Sequence, residues 1–196
     1  MLFQIAALAV LLVFYGCYFL KMLLQRKKGI RTDQIGVGKS GTVKRIELVM
    51  KLITISVPVA EIVCIAANQT ALPTWCRILG CILCAAGDVM FILAVLTMRD
   101  NWRAGVPETD RTELVTDGIF RISRNPAFLG FDLVYTGILL MFFHPVLLVL
   151  SALAVMMLHL QIVFVEEQFL LRTFGEDYRQ YMHGVNRYLG IKKGNR

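Results

Sequence analysis

The apolar residues of this chain come in uninterrupted blocks, and that constrains its fold more than any other feature. The first block runs from about Leu2 to Leu24, with Lys21 its only charge. The second runs from about Ile46 to Ala67 and the third from about Trp75 to Met98. The fourth and fifth run from about Ala127 to Phe143 and Val146 to Val165. Each is roughly 17–24 residues, the length an α-helix needs to cross a hydrocarbon core of about 30 Å. Backbone groups in lipid find no water and must pair within their own segment, so each block reads as a helix. A soluble helical protein would show stripes on a 3.6-residue period instead of blocks. Composition agrees: 57% of the 196 residues are hydrophobic and 18% charged, where soluble domains are roughly 45–50% and about 25%. So much apolar surface excludes intrinsic disorder. Five cysteines in 196 residues are too sparse for a disulfide scaffold.

Block one has no basic n-region, its positive charges follow the apolar run, and no A-x-A-like site closes it. It therefore reads as a retained anchor, not a cleaved signal peptide. The basic residues then give orientation. Arg26, Lys27, Lys28, Arg31, Lys39, Lys44 and Arg45 lie between blocks one and two. Arg99, Arg103, Arg111, Arg121 and Arg124 lie between blocks three and four, and Arg172, Arg179, Arg187, Lys192, Lys193 and Arg196 follow block five. Only Arg77 falls on the other face. The positive-inside rule puts the N-terminus outside and the basic loops and C-terminus in the cytoplasm. The net charge of +7 is thereby absorbed by topology and anionic headgroups, and no nucleic-acid motif accompanies it. The expected membrane is a plasma membrane if the source is prokaryotic.

Between the blocks, Asn68–Thr74 is a short external turn, and His144-Pro145 is so tight a link that blocks four and five must form an antiparallel hairpin. The Gly-rich stretch 31–42 lacks the spacing and the preceding strand of a phosphate-binding loop and reads as a flexible loop. Asp88, Asp132 and Glu61 lie within apolar blocks. Such acids face a bundle interior, snorkel or pair helices. Gly80, Cys84 and Gly87 share one face of block three, which favours close helix packing. Cys17, Cys64, Cys76, Cys81 and Cys84 have no metal-ligand spacing with histidine and read as small buried hydrophobes.

The chain thus divides into residues 1–98, three transmembrane helices with a basic cytoplasmic loop, and residues 99–196, which carry the polar motifs. The loop before block four contains Thr112-Glu113-Leu114-Val115-x-x-Gly118-x-Phe120 and Arg124-Asn125-Pro126-x-Phe128-x-Gly130. Block five ends in Glu166-Glu167, followed by Phe174-Gly175-x-x-Tyr178-x-x-Tyr181 and Arg187 on an amphipathic helical tail. These segments resemble, in order and at compatible spacings, the L-V-x-x-G-x-Y loop, the R-H-P-x-Y-x-G signature and the E-E…F-G-x-x-Y-x-x-Y…V-x-R tail of membrane-embedded methyltransferases. Those are the isoprenylcysteine carboxyl methyltransferases and the related phospholipid methyltransferases. The resemblance covers roughly the C-terminal half.

It implies an all-α integral membrane enzyme with about five transmembrane helices and a cytoplasmic C-terminal helical tail. It implies S-adenosylmethionine as donor and a lipophilic small-molecule or lipid-modified acceptor entering from the bilayer. The donor-binding residues it implies are Thr112, Glu113, Leu114, Val115, Phe120, Arg124, Asn125, Pro126, Ala127, Phe128, Glu166, Tyr178 and Tyr181, with Glu167 and Arg187 as catalytic residues. Chemistry fits these assignments. A glutamate can hold the donor's ammonium or ribose and Arg124 its carboxylate. Phe128, Tyr178 and Tyr181 offer walls for adenine or sulfonium, and Pro126 stiffens the entry to block four. Asn125 stands where the signature has His and Phe128 where it has Tyr. Ile162, one helical turn before Glu166, stands where the isoprenylcysteine enzymes carry an arginine, and an apolar residue cannot hold a carboxylate. A sterol-reductase-like enzyme using NADPH is the competing expectation, and a non-enzymatic protein retaining the fold is a third. The R-N-P loop and tandem glutamates favour the methyltransferase.

Overall fold

A computed structural model describes residues 1–106 and 113–192. Its helices are α1 (Leu2–Lys27), α2 (Gly41–Ala67), α3 (Thr74–Met98), α4 (Pro126–Met141), α5 (Pro145–Gln161) and α6 (Glu167–Gly184). A π-helical turn, Ile162–Glu166, joins α5 to α6. There is no strand among the described residues, only isolated bridges at Asp33–Ala104 and Val185–Ile191. The all-helical expectation therefore holds. Four helical runs are long and apolar enough to cross a membrane: Leu2–Lys27, Gly41–Ala67, Thr74–Asn101 and Pro145–Gly184. The fourth apolar block forms a shorter helix of 16 residues, α4, only about 24 Å long. Proline sets its limits. Pro126 is its first residue, and Pro145, at the head of α5, forces the preceding residue out of helical geometry.

α4 is held mainly by α3, along the small-residue face read from the sequence. A methyl group built on Gly80 would lie 2.5 Å from the Gly137 carbonyl oxygen, and one on Gly87 would lie 2.8 Å from that of Gly130. The backbones touch because neither helix has a side chain between them. Arg77 closes the far end of this pair. Its Nε donates to the Met141 carbonyl at 2.7 Å and its guanidinium stacks over Phe3 and Phe142. Toward the basic end, Phe14, Phe91 and Phe131 bring α1, α3 and α4 together, with Phe14 ring centroids 4.5 and 4.7 Å from the other two. Glu61 and Asp88 are buried inside the bundle, so Glu61 does not snorkel.

The stretch expected to be a flexible loop is pinned at both ends. Gln34 N–H donates to Ala104 O at 2.8 Å and Ala104 N–H to Thr32 O at 3.0 Å. The buried Gln25 amide donates to Trp102 O and accepts from the Thr32 hydroxyl. At the other end Lys39 pairs with Glu47 of α2, and Gly36 N–H donates to the same carboxylate. Glycine content signals freedom in the unfolded chain, but long-range partners decide whether it survives folding.

Candidate active site

A pocket opens at the end of the bundle that carries the basic loops, enclosing about 870 Å³ including its open mouth. One wall is the segment leaving α3, with Asn101, Trp102, Gly105 and Val106; the next is Glu113, Leu114, Val115 and Phe120. The floor is the start of α4, with Arg124, Asn125, Pro126, Ala127 and Phe128. Glu166, Phe169, Leu170, Tyr178 and Tyr181 close the far side. The geometry thus gathers every implied donor-binding residue that it describes; Thr112 lies outside the described residues.

Local structure explains each placement. Pro126 supplies a preset first turn to α4, so the buried run Ser123–Pro126 meets the pocket at a fixed angle. Gly175 adopts φ 52°, ψ −117° and kinks α6, a conformation that essentially only glycine tolerates. The kink turns Tyr178 and Tyr181 back on the loop. Tyr181 Oη donates to Phe120 O at 2.6 Å, and Tyr178 Oη accepts from Arg124 at 3.1 Å. The tail then crosses the same loop: Arg124 N–H donates to Asn186 O, Asn125 Nδ2 to Arg187 O, and Gly190 N–H to Ile122 O.

Glu167 and Arg187 are not on the pocket wall. Glu167 accepts two hydrogen bonds from Arg187, both at 2.9 Å, and lies 3.0 Å from Arg124. Arg124, between them and the pocket, is the inner face of this network. The Glu167 carboxylate pushes the Arg187 guanidinium above its usual pKa, chiefly through these hydrogen bonds. Arg124 Nε is buried and has no hydrogen-bond partner among the described residues.

The tandem acids part company at the π turn. Glu167 turns to the arginines and Glu166 to the pocket. The turn also shifts the register by one, so the side chain that meets Glu166 is Gln161, at 3.4 Å, and not Ile162. Ile162 is wholly buried. Sequence spacing assumed an unbroken α-helix here. Trp102, Gly105, Val106, Phe169 and Leu170 also line the pocket but were not singled out from sequence. Phe169 and Leu170, next to the tandem acids, had the only available signal.

The phospholipid methyltransferase family model matches residues 75–177, more than half the chain and nearly the whole pocket. The chain belongs to that family. It is 30% identical over 123 residues to the protein-S-isoprenylcysteine O-methyltransferase of Xenopus laevis, covering 62% of this chain and 43% of that protein. It is 28% identical over 113 residues to protein-S-isoprenylcysteine O-methyltransferase A of Arabidopsis thaliana, covering 57% of each. The chain spans about half the length of the curated relatives it matches. Tyr178, Tyr181 and Arg187 lie just beyond the matched segment.

Proposed function

We propose that this chain is an integral-membrane methyltransferase that binds S-adenosylmethionine in the pocket and methylates a lipophilic acceptor. The observation that carries the reading is the convergence of the R-N-P loop, Glu166 and the Tyr178/Tyr181 pair on one concave surface. The pocket has the usual makeup of a small-molecule site, apolar walls with a few convergent polar groups. Arg124 Nε, buried without a partner among the described residues, fits a ligand carboxylate, which would satisfy it by a charge-assisted bond. Glu166 has only a long amide contact and fits the ligand ammonium. Phe128, Phe169 and Tyr178 fit the adenine and the sulfonium.

S-adenosylmethionine, when bound, supplies an electrophilic methyl group. The chain's own residues bind, orient and exclude water: Arg124 and Glu166 fix the amino-acid end, and the apolar walls keep the site dry. Glu167 and Arg187 hold Arg124 in place. The side chain beside Glu166 is the neutral Gln161 and Ile162 is buried off the pocket wall, so this turn offers no cation and an acceptor without a carboxylate suits the site better than a prenylcysteine. In the membrane, α4 and α5 would form the hairpin that completes five crossings. The pocket and C-terminal tail would face the cytoplasm, with the N-terminus outside. Residues 99–196 would form the catalytic half and residues 1–98 its membrane support.

The test is a thermal shift of the full chain in detergent. S-adenosylmethionine at 100 times its Kd should stabilise the folded state by about 2.7 kcal/mol, and NADPH should not. Glu166→Gln and Arg124→Ala should each weaken the shift. Stabilisation by NADPH alone, or equal shifts in wild type and both variants, would overturn the reading.

A further inference from the structure

The first half of the chain has no motif of the methyltransferase pattern, yet it reaches the pocket through a buried polar chain. Lys39 pairs with Glu47; their side chains are 6% and 0% exposed. Gly36 N–H anchors the second oxygen of Glu47. Gln161, also 0% exposed, donates from Nε2 to Glu47 at 3.3 Å and to Glu166 at 3.4 Å. The π turn makes the last link possible. Residues five apart point about 140° away from each other on an α-helix, whereas the wider π turn brings Gln161 and Glu166 to one face.

The charges explain why the lysine matters. Two carboxylates, Glu47 and Glu166, accept from one amide nitrogen. Lys39 pairs with Glu47 at one end of the chain, and Glu166 stands at the other end, on the pocket side. Removing Lys39 would leave a buried carboxylate uncompensated beside the amide that Glu166 shares. The loop is fixed for this duty, since its other end is bonded to the pocket segment at Ala104.

We infer that Lys39, Glu47 and Gln161 are positioning residues that hold Glu166 against the amino-acid end of the methyl donor. The inference rests on the donor reading above.

The test compares two probes by calorimetric titration of the full chain in detergent. S-adenosylhomocysteine has the amino-acid end; 5′-methylthioadenosine lacks it. Lys39→Met should weaken S-adenosylhomocysteine binding about tenfold and leave methylthioadenosine within about twofold, and Lys39→Arg should restore it. Gln161→Leu cuts the chain while sparing the Lys39–Glu47 pair, so it separates positioning from folding and should show the same selective loss. Unchanged S-adenosylhomocysteine affinity in both variants, or equal loss of both probes, would overturn the inference. Wild type binding neither probe would overturn the donor reading, and this inference with it.

Discussion

Glu167 shows how much a single buried acid can organise. Its carboxylate accepts two bonds from Arg187 and an ion pair from Arg124, so three segments distant in sequence share one charge centre. Truncating one member of such a centre leaves the others buried and unmatched. Glu167→Gln should therefore destabilise the fold by about 3 kcal/mol or more, seen as a lower unfolding temperature in detergent. Arg187→Lys should cost less, because the partly exposed lysine still pairs but loses the bidentate fork. Equal melting temperatures for wild type and Glu167→Gln would rule out this structural role. The residue types at this site were legible in sequence, since the tandem acids and Arg124 stand in recognisable motifs. Which acid faces the pocket was not legible, because that depends on the π turn.

At the level of elements, the α3–α4 pair and the kinked α6 carry the most specific demands. The Cβ of any residue at 137 would lie 2.5 Å from Cys84 Sγ and 2.7 Å from the Gly80 carbonyl. Gly137→Val should then force the helices apart and cost about 1–3 kcal/mol, the usual range for overpacking. Unfolding of the variant in detergent would measure it. The small-residue spacing on α3 predicted a close partner, and α4 supplies its own glycines at the facing positions. Gly175 poses the opposite case. Nothing lies within 4 Å of a methyl group there, so Gly175→Ala tests backbone strain alone. It should cost about 1–3 kcal/mol and weaken donor binding by displacing Tyr178 and Tyr181. A variant with unchanged stability and binding would mean that the kink is not required.

On the scale of the whole molecule, the pocket is lined from the second half of the chain and closed by the segment that follows α6. The segment after α6 seals the R-N-P loop through Asn186, Arg187 and Gly190, and Tyr188 reaches His159 of α5 at 2.7 Å. A chain ended after Gly184 should keep its helices but lose the donor-dependent thermal shift; a retained shift would show that the tail is dispensable. Sequence alone determined the helical class, because lipid leaves backbone groups no partner except their own helix. It also determined which polar residues stand out, because charge within apolar blocks is costly and conspicuous. Tertiary structure alone decided that the glycine-rich loop is fixed. It also decided that the π turn directs Glu166 to the pocket and Glu167 to the arginines, and that Lys39 joins the far half of the chain to the site. Those outcomes depend on contacts between residues far apart in the chain, which local spacing does not encode.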